Sequence, residues 1–115
     1  MHLDPEKRIW QYDGQGNKVL KNNYNHVYTG VDREKVLTIL MEECGELVQR
    51  ASKMIRHGVN TRTVADLNDE AGDVLTLIDI LISENILDPH ILENRKNYKI
   101  TKLITRGYLK NAVDW

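Results

Sequence analysis

The stretch Val74-Leu75-Thr76-Leu77-Ile78-Asp79-Ile80-Leu81-Ile82 is apolar on nearly every side when wound as a helix, and nothing else in the chain restricts the fold so strongly. A helix of that kind sits among other helices rather than on a surface. A chain of 115 residues buries only a modest core on its own, so the pattern predicts an all-α bundle that shares apolar faces between copies. We expect a single domain over 1–115, with a polar, turn-rich segment over 1–31 and a helical core over 32–110.

Start and stop signals divide the core into three helices. Asp32 is a good N-cap and Glu34 lies in the first turn that follows; the helix should run to about His57, where Gly58 and Asn60 end it. A second helix should begin at Thr61 or Thr63 and continue to about Glu84. Asp88-Pro89 opens a third, since proline suits the first helical position, and it should reach Arg106-Gly107. Upstream, Ile9-Trp10-Gln11-Tyr12 and Lys18-Val19-Leu20-Lys21 flank a glycine-rich turn at 13–17 and predict a small hairpin.

On the first helix Leu37, Leu40, Cys44, Leu47, Val48, Ala51 and Ile55 recur at helical spacing, which predicts one buried stripe with Glu43 at its flank and Glu42 and Glu46 outside it. Taken alone, those acids read as a solvated face. The second helix changes this, because Glu70 and Asp73 open its apolar run and should be at least partly enclosed. Acids brought together in such a place repel one another and lose hydration, so they call for a counter-cation.

Oxygen-only ligands select Mg²⁺ or Mn²⁺. Zinc is disfavoured by a single cysteine and no paired histidines, and a di-iron centre by the absence of any Glu-x-x-His, since none of His2, His26, His57 and His90 has a glutamate three residues before it. Mg²⁺ usually completes its shell with waters and substrate phosphates, so a phosphorylated substrate is implied.

Glu42-Glu43-Cys44-Gly45-Glu46-Leu47 followed, after twenty-two intervening residues, by Glu70-Ala71-Gly72-Asp73-Val74 resembles the signature of the MazG-like, all-α nucleoside triphosphate pyrophosphohydrolases. The resemblance covers roughly 33–85. It implies a helical bundle built as an intertwined dimer, sometimes paired into a tetramer, and a reaction that cleaves a nucleoside triphosphate to monophosphate and pyrophosphate. By it Glu43, Glu46, Glu70 and Asp73 are the Mg²⁺ ligands, with Glu42 a weaker candidate, and Glu43, then Glu46, takes the proton of the attacking water. The same resemblance favours Lys102 and Arg106 as partners of the triphosphate, drawn from a basic stripe, Arg95, Lys99, Lys102 and Arg106, that otherwise reads as a solvated face. Lys53 and Arg56 are further phosphate candidates.

Asp79 interrupts the apolar run. It is explained either by a core hydrogen bond or by a role in reading a base. Trp10, Tyr12, Asn22, Asn23, Tyr24, Asn25 and Tyr28 offer stacking and hydrogen bonding to a base, with structural use the plainer account; Trp115 reads as a docking anchor.

Charged residues are 29% of the chain yet the net charge is −1, so no long-range field draws nucleic acid or an acidic membrane. Cys44 has no second cysteine to pair with, and no apolar run approaches the ~18 residues of a membrane span. With no signal-peptide pattern after Met1, the expectation is a soluble cytoplasmic homodimer or homotetramer acting on a nucleoside triphosphate. Two alternatives stand beside it. One is the phosphoribosyl-ATP pyrophosphohydrolase of histidine synthesis, which resembles the same superfamily but tends to carry Ala-Asp and a following histidine where this chain has Gly72-Asp73. The other is a non-enzymatic helical oligomerisation or nucleic-acid-binding module.

Overall fold

The computed structural model describes residues 10–12, 18–20 and 28–112. Short strands β1 (Trp10–Tyr12) and β2 (Lys18–Leu20) pair antiparallel, with Trp10 opposite Leu20 and Tyr12 opposite Lys18. Helices α1 (Arg33–His57), α2 (Thr61–Ser83) and α3 (Pro89–Thr105) make up the rest of the regular structure. The base-stacking candidates at 22–25, the side chains of Trp10 and Tyr12, and Trp115 lie outside the described residues.

Each helix end follows from local side-chain chemistry. Asp32 accepts from the Lys35 N–H at 3.1 Å and so caps α1. At the other end the Gly58 N–H donates to the Met54 carbonyl at 2.8 Å, and Gly58 takes φ 87°, a conformation that favours glycine. Two residues later Asn60 Oδ1 accepts from the Arg62 and Thr63 N–H groups at 3.0 Å, while the Asn60 N–H donates to Thr63 Oγ1, closing a reciprocal cap. Between His57 and Thr61 only three residues remain, and so short a connection turns α2 back along α1. Asn85, at φ 59°, ends α2: its own N–H reaches the Ile82 carbonyl and that of Ile86 reaches Leu81. Gly107 repeats the device after α3, with Gly107 bonded to Ile104 and Tyr108 to Leu103. In both places a residue in the left-handed conformation satisfies carbonyls that the helix leaves orphaned.

The fully buried residues of the core lie on α2: Leu77, Leu81 and Ile82. The face that α1 turns toward α2 is Val36, Leu40, Glu43, Leu47, Arg50 and Met54, a run in steps of four and three in which every residue is half-buried. This corrects the expected stripe. Leu40 and Leu47 lie inward as expected. Leu37, Cys44, Val48, Ala51 and Ile55 do not, and Val48 and Ile55 keep 69% and 86% of their surface exposed. The apolar sector of α1 is wider than one neighbouring helix can cover, and α2 takes its edge rather than its middle. One apolar row on α1 is therefore left uncovered among the described residues. α3 buries no residue fully, and among the described residues no helix is long and apolar enough to cross a membrane.

Candidate metal centre

Glu43 rides on the inward row of α1, and Glu70 and Asp73 lie one turn apart on α2. Antiparallel packing brings the three together, and each places a carboxylate oxygen within 4.8 Å of the other two. Their surroundings differ. Glu70 is buried, at 9% exposure, Glu43 is half-buried, and Asp73 is exposed; the expectation that Asp73 would be partly enclosed is not met, because it stands at the open edge of the seam. With Glu43 ionised, Glu70 Oε2 is buried without a hydrogen-bond partner among the described residues. A hydrogen bond to Glu70, burial, and the charges of Glu70 and Asp73 push the Glu43 carboxyl from its ordinary 4.5 up to about 7. Three acids converge, and their crowding raises the carboxyl of one of them into the neutral range. Such a site suits a hard cation held by these side chains and open to water and phosphate on one side.

That open side is a cavity of about 290 Å³ lined by Ile39, Glu43, Asp73, Thr76 and Leu77. Ile39 also borders a second hollow, of about 450 Å³, lined by Asp32, Glu34, Lys35 and Thr38 at the start of α1.

Glu46 lies on the other side of Glu70. Its carboxylate is half-exposed and sits 3.9 Å from Arg50 Nη2, one turn along α1. Arg50 also stands 3.9 Å from Glu70 Oε1 and 4.0 Å from Asp66 Oδ2. Sequence reasoning passed over Arg50 and Asp66. Their only signal was spacing, since Glu46 and Arg50, like Asp66 and Glu70, are four apart and share a helix face.

The remaining candidates are not gathered at the acids. Lys53 and Arg56 are exposed on α1, about 15 and 20 Å along its axis from Glu43 at the usual rise per residue. On α3, Arg95 and Lys102 both lie over the Tyr98 ring, at 4.5 and 5.4 Å from its centre, and Arg106 is the C-cap. Among the described residues no ion pair joins Lys102 or Arg106 to the acids. Glu42 is exposed on α1. Asp79 is buried, has a partner, and lies outside the acidic group, which suits the structural account of it. Compared with protein-family models, curated proteins and solved structures, the chain matches none.

Proposed function

We propose that the chain is a Mg²⁺-dependent nucleotide pyrophosphohydrolase of the MazG-like kind, cleaving a ribo- or deoxynucleoside triphosphate to the monophosphate and pyrophosphate, with Mn²⁺ able to substitute. The observation that carries this reading is the meeting of Glu43, Glu70 and Asp73 around a buried Glu70 oxygen that, with Glu43 ionised, has no hydrogen-bond partner among the described residues. Packing alone gives no reason for three acids here, because Arg50 offers Glu70 a single positive charge on its other side and a buried carboxylate short of partners is costly. All three ligands offer hard oxygen, and the open cavity beside Glu43 and Asp73 leaves room for phosphate.

A divalent ion held there would supply charge stabilisation for the phosphoryl group and lower the pKa of an attacking water. Glu70 is the fixed ligand, since burial leaves its carboxylate little freedom. Asp73 holds the exposed side. Glu43, at the margin of the cavity, takes the proton from water. In this reading Glu46 borders the centre through Arg50, and Lys102 and Arg106 meet the triphosphate from the same or a neighbouring subunit, with Lys53 and Arg56 as further phosphate partners.

Assembly into a homodimer or homotetramer belongs to the same proposal. Its support is the uncovered row Leu37, Met41, Cys44, Val48, Ala51 and Ile55, which repeats in steps of four and three along α1, the spacing that seats one helix against another.

The deciding experiment is a panel of ribo- and deoxynucleoside triphosphates with and without Mg²⁺ or Mn²⁺, with nucleotide and pyrophosphate products both analysed and Glu70→Gln as control. Monophosphate and pyrophosphate appearing only with metal and only with Glu70 is the expected result. Turnover undiminished in Glu70→Gln would remove the acids from the chemistry. No turnover of any nucleotide by the folded, metal-loaded protein would favour the binding-module reading.

A further inference from the structure

The seam between α1 and α2 contains two neighbouring cation positions. The first is bounded by Glu43, Glu70 and Asp73. The second, one helical turn away, is bounded by Glu46, Asp66 and Glu70, and Arg50 already stands in it. Its guanidinium nitrogens lie 3.9, 4.0 and 3.9 Å from the three carboxylates. These distances are too long for hydrogen bonds and nearly equal, the arrangement of a cation centred among three acids rather than one clamped to a single partner. Glu70 belongs to both positions: Oε1 faces Arg50, and Oε2 is the orphaned, buried atom.

We propose that this seam holds one divalent ion per chain, that the Arg50 guanidinium serves as its built-in second cation, and that removing Arg50 opens a second ion position formed by Glu46, Asp66 and Glu70. The proposal rests on the metal-centre reading above. Its physical basis is that a guanidinium is never deprotonated in a protein, so Arg50 keeps a positive charge in this position at every working pH. The side chain is also mostly enclosed, with Nε buried, so it cannot leave without exposing three acids to one another. Arg62, 4.0 Å from Asp66 but itself almost fully exposed, does not fill the same place. Glu46 thus acts on Arg50 rather than on the ion, and Glu70 is held between a fixed positive charge and an exchangeable one.

The test is a count of bound Mn²⁺ in the full chain, read from the loss of the free-ion electron paramagnetic resonance signal, with helix content followed by circular dichroism. The expected counts are one for the wild type, two for Arg50→Gln, one for Arg50→Lys, and one again for Arg50→Gln combined with Asp66→Asn. Two ions in the wild type would overturn the proposal while leaving the metal centre standing, and that count needs no variant to fold. One ion in a fully helical Arg50→Gln protein would overturn it as well. No ion in the wild type would overturn the metal centre itself, and the proposal with it.

Discussion

Acidification from pH 8 to pH 6 should weaken metal binding by an amount that the Glu43 carboxyl sets. In the metal-free protein that group is pushed up to about 7, first by its hydrogen bond with Glu70, then by burial and by the charges of Glu70 and Asp73. A divalent ion takes the carboxylate, so binding must expel whatever proton is there. With one group titrating near 7, the ionised share falls from about nine-tenths at pH 8 to about one-half at pH 7 and about one-tenth at pH 6, and the apparent affinity for Mn²⁺ or Mg²⁺ falls about tenfold over the two units. Proton release per ion runs the other way, about one-tenth at pH 8 and about nine-tenths at pH 6.

Isothermal titration in two buffers of different ionisation enthalpy measures both quantities at once. Glu43→Gln should bind more weakly at pH 8 and lose nearly all of this pH dependence. Equal wild-type affinity at pH 8 and pH 6, with no proton taken up by the buffer, would refute the reasoning, since Glu43 would then not be protonated where the ion binds.

The same shift has a consequence for stability without metal. A carboxyl with a folded pKa of about 7 and an ordinary value of 4.5 leaves stability intact below 4.5 and lowers it as pH rises through 7. Glu43→Gln should therefore raise the melting temperature in chelator at pH 8 and leave it unchanged near pH 4, and coincident melts at pH 8 would count against the repulsion. In the core, Leu81 is only 2% exposed, so Leu81→Ala should cost about 2–5 kcal/mol by urea denaturation; a loss below about 1 kcal/mol would mean that α2 is not the centre of the fold. On the uncovered row of α1, Val48→Asp should shift the sedimentation coefficient from that of an oligomer to that of a monomer while the far-ultraviolet helix signal persists. An unchanged coefficient would place the interface elsewhere.

Helix ends were legible because they depend on neighbours in sequence. Asp32, Gly58, Asn60 and Asp88-Pro89 each act on backbone groups within four residues, and the helices begin and end where those residues put them. Asn85 carried a weaker signal, since the left-handed conformation at the end of α2 is one that asparagine tolerates but does not announce. The acids Glu43, Glu70 and Asp73 were legible for another reason: their spacing on each helix is local, and only the antiparallel turn at 58–60 was needed to bring the two segments together.

The rotation of α1 about its own axis was not legible. Periodicity shows that α1 has an apolar sector but not which edge of that sector a neighbour will cover, and successive residues are turned by about 100°. Leu40 and Leu47 belong to either choice. The expected stripe extended through Cys44 and Val48; the structure extends it through Glu43 and Arg50. That difference of one position decides the chemistry. Under the first choice Glu43 flanks the seam and Arg50 reads as a surface charge. Under the second both enter the seam, Glu43 meets Glu70 and Asp73, and Arg50 draws Glu46 to itself. Two polar residues on the buried row look like a defect in hydrophobic patterning, yet they are where the acids and their counter-charge meet. The rows also exchange places: the more strongly apolar one is not covered by α2, and the row that contains a carboxylate and a guanidinium lies in the seam.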